Sequence, residues 1–350
     1  MKGVAYPAIN DADFFQGCFP LPPIAEQHRI VAEIDRPMAR CDELEKLRTD
    51  RTQKRTIVHT AAIDRLLTAK DDRDFSNAWS FITQHFRELY SVKENVIELR
   101  KVILQLAVMG KLVPQDPNDE PASELLKAIE TEEKKLVKEG KIKKPKPLPE
   151  IKHDEIPYDL PKGWHWVRLR TICHDWGQKT PDSLFTYIDV GSIDNKRGVI
   201  SDDVQLLESV DAPSRARKIV RKGTVIYSTV RPYLLNIAIV DKDFNPEPIA
   251  STAFAILHPF CEISNQFIYY YLRSPIFIDY VESTMKGVAY PAINDGDFFQ
   301  GCFPLPPIAE QHRIVAKIDR LMEFCDRLEE TIEAAKTKQT ELLNALMAEV

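Results

Sequence analysis

Glycine is scarce in this chain, with 12 among 350 residues. Loops that cradle phosphates are built from glycine, because only a residue without a Cβ lets several backbone N–H groups close around one anion. No Gly-x-x-x-x-Gly-Lys-Ser/Thr stretch occurs, which excludes a nucleotide hydrolase of the phosphate-loop kind. A DNA methyltransferase needs a glycine-rich cofactor turn and an Asn/Asp-Pro-Pro-aromatic loop. Both are missing: the only double prolines, Pro22-Pro23 and Pro306-Pro307, stand in "PLPPIAEQ". No Ser or Cys sits in a nucleophile elbow. The six cysteines include no Cys-x-x-Cys pair and no zinc-spaced Cys/His cluster, so no metal and no cofactor are expected, and the thiols are expected to be reduced and mostly buried. No run approaches about 18 apolar residues, so no membrane span is expected. The N-terminus lacks the charged-then-apolar form of a secretion signal, and the expected location is cytoplasmic. An excess of positive charge is also lacking: 47 basic residues face 53 acidic ones, a net −6. That sum alone argues against nucleic acid, but a steering field depends on where charges lie.

The chain does contain a repeat. "MKGVAYPAINDADFFQGCFPLPPIAEQHRIVAEIDR" opens it, and residues 285–320 repeat the segment with changes only at Ala12/Gly296 and Glu33/Lys317. A solenoid needs three or more stacked units at a short period. Two distant copies instead point to duplication of a half-molecule, the first copy closing a unit whose beginning is not in this chain.

Each copy runs into a helix. After Pro307, the residues Ile314, Ile318, Leu321, Cys325, Leu328, Ile332, Ala335, Gln339, Leu342 and Leu346 recur in alternating steps of four and three. This is a heptad seam, expected to form a coiled coil about 50 Å long at 1.5 Å per residue. The alternative is an amphipathic helix packed on one domain. The first copy keeps Ile30, Ile34, Cys41 and Leu44, then decays to Arg48, Arg51 and Arg55, with Pro37 in place of Leu321. A kinked, less well packed helix is expected there. A second seam follows at Val92, Val96, Leu99, Ile103 and Leu106, with Gly110 and Pro114 as stops. "PASELLKAIETEEKKLVKEGK" predicts a charged helix capped by Ser123. The Pro/Lys-rich stretch up to Trp164 predicts a solvated linker. From Trp164 onward, "WVRL", "TYIDVGSI", "GTVIYSTV", "LNIAIV" and "STAFAIL" read as short strands, and "SNQFIYYYLRSPIFIDYVEST" as two helices split at Pro275. The expected fold class is α+β: one mixed, sheet-dominated domain plus long antiparallel coiled-coil helices.

Basic residues cluster within the strand region, at Asn195-Lys196-Arg197, at Arg215, Arg217, Lys218, Arg221 and Lys222, and at Arg231, Tyr233 and Asn236. Arginine pairs bidentately with guanine and Asn with adenine, while lysine and arginine neutralise phosphates. A solvated basic face explains the same composition. Pro181-Asp182 followed by Asp194-Asn195-Lys196 matches a degenerate metal-nuclease pattern, which requires its carboxylates to converge on one cation. Phe267, Tyr269, Tyr270 and Tyr271 are read as core rather than as a base-stacking platform.

"LPKGWHWVRL", "YIDVGSI", "RKGTVIYSTVRPYL", "IASTAFAIL" and the closing "MKGVAYPAIN…FPLPPIAEQHRIVAKID", with "ELRKVILQLAVMGKLVPQDPNDEPASELL" before them, together resemble type I restriction–modification specificity subunits (S subunit, HsdS family). The resemblance implies a non-catalytic DNA-recognition protein. It implies two target recognition domains, each reading half of a bipartite double-stranded site. Between them, paired helices set the spacing and dock methyltransferase (M) subunits, and the complex recruits a restriction (R) subunit. Mapped onto this chain, it divides as follows: 1–21, the end of a first recognition domain; 22–70, a spacer helix; 71–112, a connector and second helix; 113–163, a charged helix and linker; 164–307, a target recognition domain; 308–350, the C-terminal conserved helix. With one complete recognition domain, a homodimer of half-subunits is expected, reading a symmetric split site. The 50 Å seam would match roughly 15 base pairs. The alternatives are a stand-alone nuclease using Asp182, Asp194 and Lys196, a scaffold without DNA contact, or a remnant that needs recombination. The expected DNA-binding residues are Asn195, Lys196, Arg197, Arg215, Arg217, Lys218, Arg231, Tyr233, Lys286 and Tyr290, with Lys2 and Tyr6 as duplicates of the last two.

Overall fold

The structure, a computed structural model, describes residues 9–287 and 289–348. Lys2, Tyr6 and the rest of residues 1–8 lie outside the described residues.

The first described helices are α1 (Asp11–Phe15), α2 (Ile24–Leu67), α3 (Asp72–Gln84), α4 (Phe86–Leu89), α5 (Lys93–Val108) and α6 (Ala122–Lys138). Asn10 caps α1 by accepting from Asp13 N at 2.7 Å, and Asp71 caps α3 by accepting from Asp74 N at 2.8 Å. α2 runs unbroken through Pro37. Its surroundings are exposed, so the carbonyl that proline leaves without a donor is open to water. The cap of α6 is Pro121, without a side-chain bond; Ser123, expected in that role, lies inside the first turn. α5 ends at Gly110, whose φ of +68° turns the chain out of the helix.

The strands and remaining helices follow: β1 (His165–Arg168), α7 (Leu169–Ile172), β2 (Cys173–His174), β3 (Phe185–Ile188), β4 (Ile193–Asp194), β5 (Val199–Ile200), β6 (Gln205–Leu207), β7 (Ala216–Ile219), β8 (Val225–Ser228), β9 (Ile237–Ile239), β10 (Pro248–Ser251), β11 (Phe254–Pro259), α8 (Asn265–Leu272), α9 (Pro275–Thr284), α10 (Asp295–Phe298), β12 (Cys302–Leu305) and α11 (Ile308–Ala348). Two four-stranded sheets have the orders β6-β3-β10-β7 and β2-β11-β8-β9, and β1 pairs with β12. Only β3 and β10 run parallel among the described strand pairs. The β1–β12 ladder, antiparallel with His165 opposite Leu305, closes the second copy of the repeat onto the sheet domain.

α11 packs along α5 in opposite directions: Lys93 faces Glu329, Arg100 donates to Asp326 at 2.8 Å and to Glu329 at 3.2 Å, and Gln115 donates to Glu310 at 2.7 Å. Ile314, Ile318, Cys325 and Ile332 are buried with Val96, Ile103 and Leu106 in one core; burying each such aliphatic side chain contributes about 1.5–3 kcal/mol. Leu321 and Leu328 pack on its edge. Beyond Ile332 the seam is uncovered, and Leu342 and Leu346 are exposed. α2 uses only its last turns, burying His59, Ala62 and Leu66.

The two copies of the repeat therefore sit in opposite environments. Phe303 and Leu305 are fully buried, while their identical counterparts Phe19 and Leu21 are 79% and 76% exposed. The cysteines divide similarly: Cys18, Cys41 and Cys261 are exposed, Cys302 is intermediate, and Cys173 and Cys325 are buried. The expectation of mostly buried thiols fails: Cys18 and Cys41 belong to the first copy, whose described residues here are exposed, and Cys261 sits in an exposed turn after β11. Nor is the 142–163 stretch a loose linker. Buried Arg168 donates to Pro149 O at 3.2 Å, Glu150 O at 3.0 Å and the Glu155 carboxylate at 2.8 and 2.9 Å, and Tyr158 donates to Val108 O at 2.8 Å. These bonds strap the stretch to the domain.

Candidate nucleic-acid interface

After β8 the chain makes a turn whose shape is fixed on several sides. Arg231 has φ +48° and Leu235 φ +51°, flanking a 3₁₀ turn over Pro232–Leu234. Side chains with a Cβ rarely hold this left-handed geometry unless their surroundings impose it. Here Arg231 N donates to Pro291 O at 2.8 Å, and Val230 pairs with Ala292. The partner segment belongs to the second copy of the repeat. Lys286 and Ala292 exchange backbone bonds at 2.8 and 2.9 Å. At Gly287, φ +102°, an added Cβ would lie 2.9 Å from Tyr290 O, so the close approach depends on glycine. Tyr290 projects from this loop, 71% exposed, and the Arg231 guanidinium carbon lies 5.4 Å from its ring centroid. The turn also exposes Val230, Tyr233 and Leu234. Lys286 reaches out, 83% exposed in its side chain, with Asp297 at 3.8 Å. Arg231, Tyr233, Lys286 and Tyr290 thus form one cationic and aromatic patch from segments distant in sequence.

The β4–β5 hairpin adjoins this patch. Asp194 Oδ1 accepts from Lys196 N at 3.0 Å and Arg197 N at 3.1 Å, shaping the tip that exposes Lys196 and Arg197. Gly198 rests on Tyr269, whose hydroxyl would lie 1.7 Å from an added Cβ. Burial raises the Tyr269 phenol above its ordinary value, so it stays neutral. Asn195, half-buried, donates to Leu234 O of the Arg231 turn at 3.0 Å. Arg273, stacked on Tyr269, donates to Asn195 O at 3.4 Å. The hairpin tip also lines a groove of about 1120 Å³ facing Arg100 and Glu329 of the helices.

The third basic cluster lies elsewhere, on β7 in the other sheet. Arg215 is exposed and Arg217 half-buried. Lys218 is buried, its ammonium donating to Phe254 O and to Asp295, both at 2.6 Å, so its charge is spent inside the fold. Arg221 stacks 4.0 Å above the Trp176 ring. The aromatic run serves the core: Phe267 and Tyr271 are buried, and Tyr270 donates to Asp319.

The nuclease pattern does not assemble. Asp182 is exposed and pairs with Lys179 at 3.5 Å, while Asp194 is occupied by the backbone of its own turn. Among the described residues no group of three or more His, Cys, Asp or Glu side chains could hold a metal, and no described helix is long and apolar enough to cross a membrane. Sequence reasoning missed Arg273 and the bond from Asn195 to the turn. Both act through backbone carbonyls of remote segments, which leave no local pattern. The lone Gly198 after Lys196-Arg197 was the one available signal of a close approach.

Residues 161–336 match the type I restriction modification DNA specificity domain. The chain is 35% identical to the type I restriction enzyme EcoAI specificity subunit of Escherichia coli, over 93% of this chain and 57% of that protein. To the EcoEI specificity subunit, also of Escherichia coli, it is 31% identical over 99% of this chain and 60% of that protein. It therefore spans less than two thirds of these relatives. A crystal structure of the HsdS subunit from Thermoanaerobacter tengcongensis matches at 40% identity and a TM-score of 0.48, covering 54% of this chain and 49% of that one.

Proposed function

The chain belongs to the type I restriction–modification DNA specificity family, and from that premise we propose that it reads one half of a bipartite double-stranded DNA site. It does so with the patch formed by Arg231, Tyr233, Lys286 and Tyr290, joined by Lys196 and Arg197 at the hairpin tip. A second copy reads the other half, and the long helices position methyltransferase and restriction subunits beside the DNA. The observation that carries this reading is the stacking of Arg231 against Tyr290 on a turn held in left-handed geometry. An oriented guanidinium next to an exposed ring suits a base edge, and the neighbouring lysines suit phosphates. Arg215 and Arg217 are flanking phosphate contacts in this reading. The uncovered apolar residues of α2 and of the end of α11 support pairing with a second copy.

The test uses the chain assembled with its methyltransferase subunits and a pool of random-sequence duplexes, sequencing what is bound. Arg231→Ala is expected to cost about 1–3 kcal/mol and to relax preference at one position. Lys286→Ala is expected to weaken all sequences alike and to lower the salt slope by about one. If both variants bind and select like the parent, this patch is not the reading surface.

A further inference from the structure

We infer that Asn195 is a positioning residue for the reading turn, one that sets the aim of Arg231 and Tyr233 rather than touching a base itself. This rests on the DNA-reading role proposed above. The turn is bounded by two left-handed non-glycine residues, Arg231 and Leu235. Such a turn relaxes unless it is held from outside. On one side the repeat segment holds it, through Arg231 N to Pro291 O at 2.8 Å. On the other, the carbonyl of Leu234, immediately before the second left-handed residue, accepts from the Asn195 side-chain amide at 3.0 Å.

That amide is well placed to serve as a clamp, because the hairpin that carries it is itself fixed. Asp194 ties the tip by accepting from Lys196 N and Arg197 N. Gly198 is seated on Tyr269 so closely that no side chain fits between them. Arg273 holds the Asn195 backbone carbonyl at 3.4 Å while stacked on the same Tyr269 ring. A path of direct contacts thus runs from Tyr269 in α8, through the hairpin, to the reading turn. The bond to Leu234 O takes one of the two amide hydrogens of Asn195 and fixes the plane of its side chain, which ties it to the turn. The exposed cations at the hairpin tip are Lys196 and Arg197.

The experiment is a double-mutant cycle on the assembled complex, selecting from the same random-sequence duplex pool, with thermal unfolding as a control. Asn195→Ala is expected to lower the preference for selected over random duplex by about tenfold, at the same base position that Arg231→Ala relaxes, while the unfolding midpoint stays unchanged. Asn195→Gln, which retains the donor, is expected to restore part of the preference. The double variant is expected to be no worse than Arg231→Ala alone, since residues acting through one contact are not additive. The inference is overturned if the losses add, if Asn195→Ala relaxes a different base position, or if it changes nothing while Arg231→Ala weakens selection. A result in which Arg231→Ala itself has no effect removes the underlying reading instead, and the inference falls with it.

Discussion

Single residues in this chain are worth what their surroundings make of them. Arg168 and Glu155 illustrate this. The buried guanidinium binds the carboxylate through two bonds and also holds the carbonyls of Pro149 and Glu150. The Arg168 bonds, with a further one from Lys152 N, hold the Glu155 carboxyl down at about 2. A depressed carboxylate contributes stability above its unfolded value and loses it as pH falls through the folded one. Glu155→Gln should therefore unfold more easily at neutral pH, by about 1 kcal/mol because the carboxylate is partly solvated. The difference should shrink between about pH 4.5 and about pH 2. Denaturant melts across that range check it, and a pH-independent difference would show that the charge is not what holds the strap. Little of this was legible in the sequence. Residues 142–163 read as a solvated linker because prolines and lysines carry no periodicity, and the bonds that order them reach residues outside the stretch, Arg168, Trp166 and Val108.

At the scale of elements, the repeat is an internal control. Phe19 and Phe303 have identical neighbours in sequence, yet Phe303 packs against Phe267 and Tyr271 in the sheet domain and Phe19 has no such cover. Phe303→Ala is expected to cost about 3–5 kcal/mol, while Phe19→Ala stays within about 0.5 kcal/mol. Equal effects in thermal or denaturant unfolding would mean that both copies are covered alike. The short helices α1 and α10 show the opposite rule. Asn10 and Asn294 cap them through the same bond, to Asp13 N at 2.7 Å and Asp297 N at 2.8 Å, so a local signal yields the same local structure whatever lies beneath. This explains what sequence could and could not show. The strand region, the stop at Gly110, the split at Pro275 and the Ile314–Ile332 seam come from nearby patterning and were legible, whereas the start of α6 was not, its cap being Pro121 and not Ser123. The partner of that seam was not, because heptads specify an apolar face without naming its cover, and in this chain α5 supplies it. The Arg231–Tyr290 pairing was likewise out of reach, since only the sheet brings the two segments together, although both residues had been singled out.

For the whole molecule, the uncovered faces set the expectation. Ile24, Ile30, Ile34 and Leu47 on α2 and Leu342, Leu343, Leu346 and Met347 on α11 are all exposed, more apolar surface than a lone chain usually leaves to water. Sedimentation at micromolar concentration should find a dimer, and Leu342→Asp with Leu346→Asp should shift it toward monomer without lowering the stability of the sheet domain. A monomer at all concentrations would rule out self-pairing. Two such chains related by a two-fold axis would present equivalent reading patches to inverted half-sites. The most direct measurement is mapping of methylated positions in DNA from cells that make this chain together with the methyltransferase subunits proposed as its partners. The expected result is modification at a single split sequence, two inverted half-sites with a constant gap, lost with Arg231→Ala. Modification that is scattered without sequence preference, or that persists unchanged when the chain is deleted, would contradict a role in recognition.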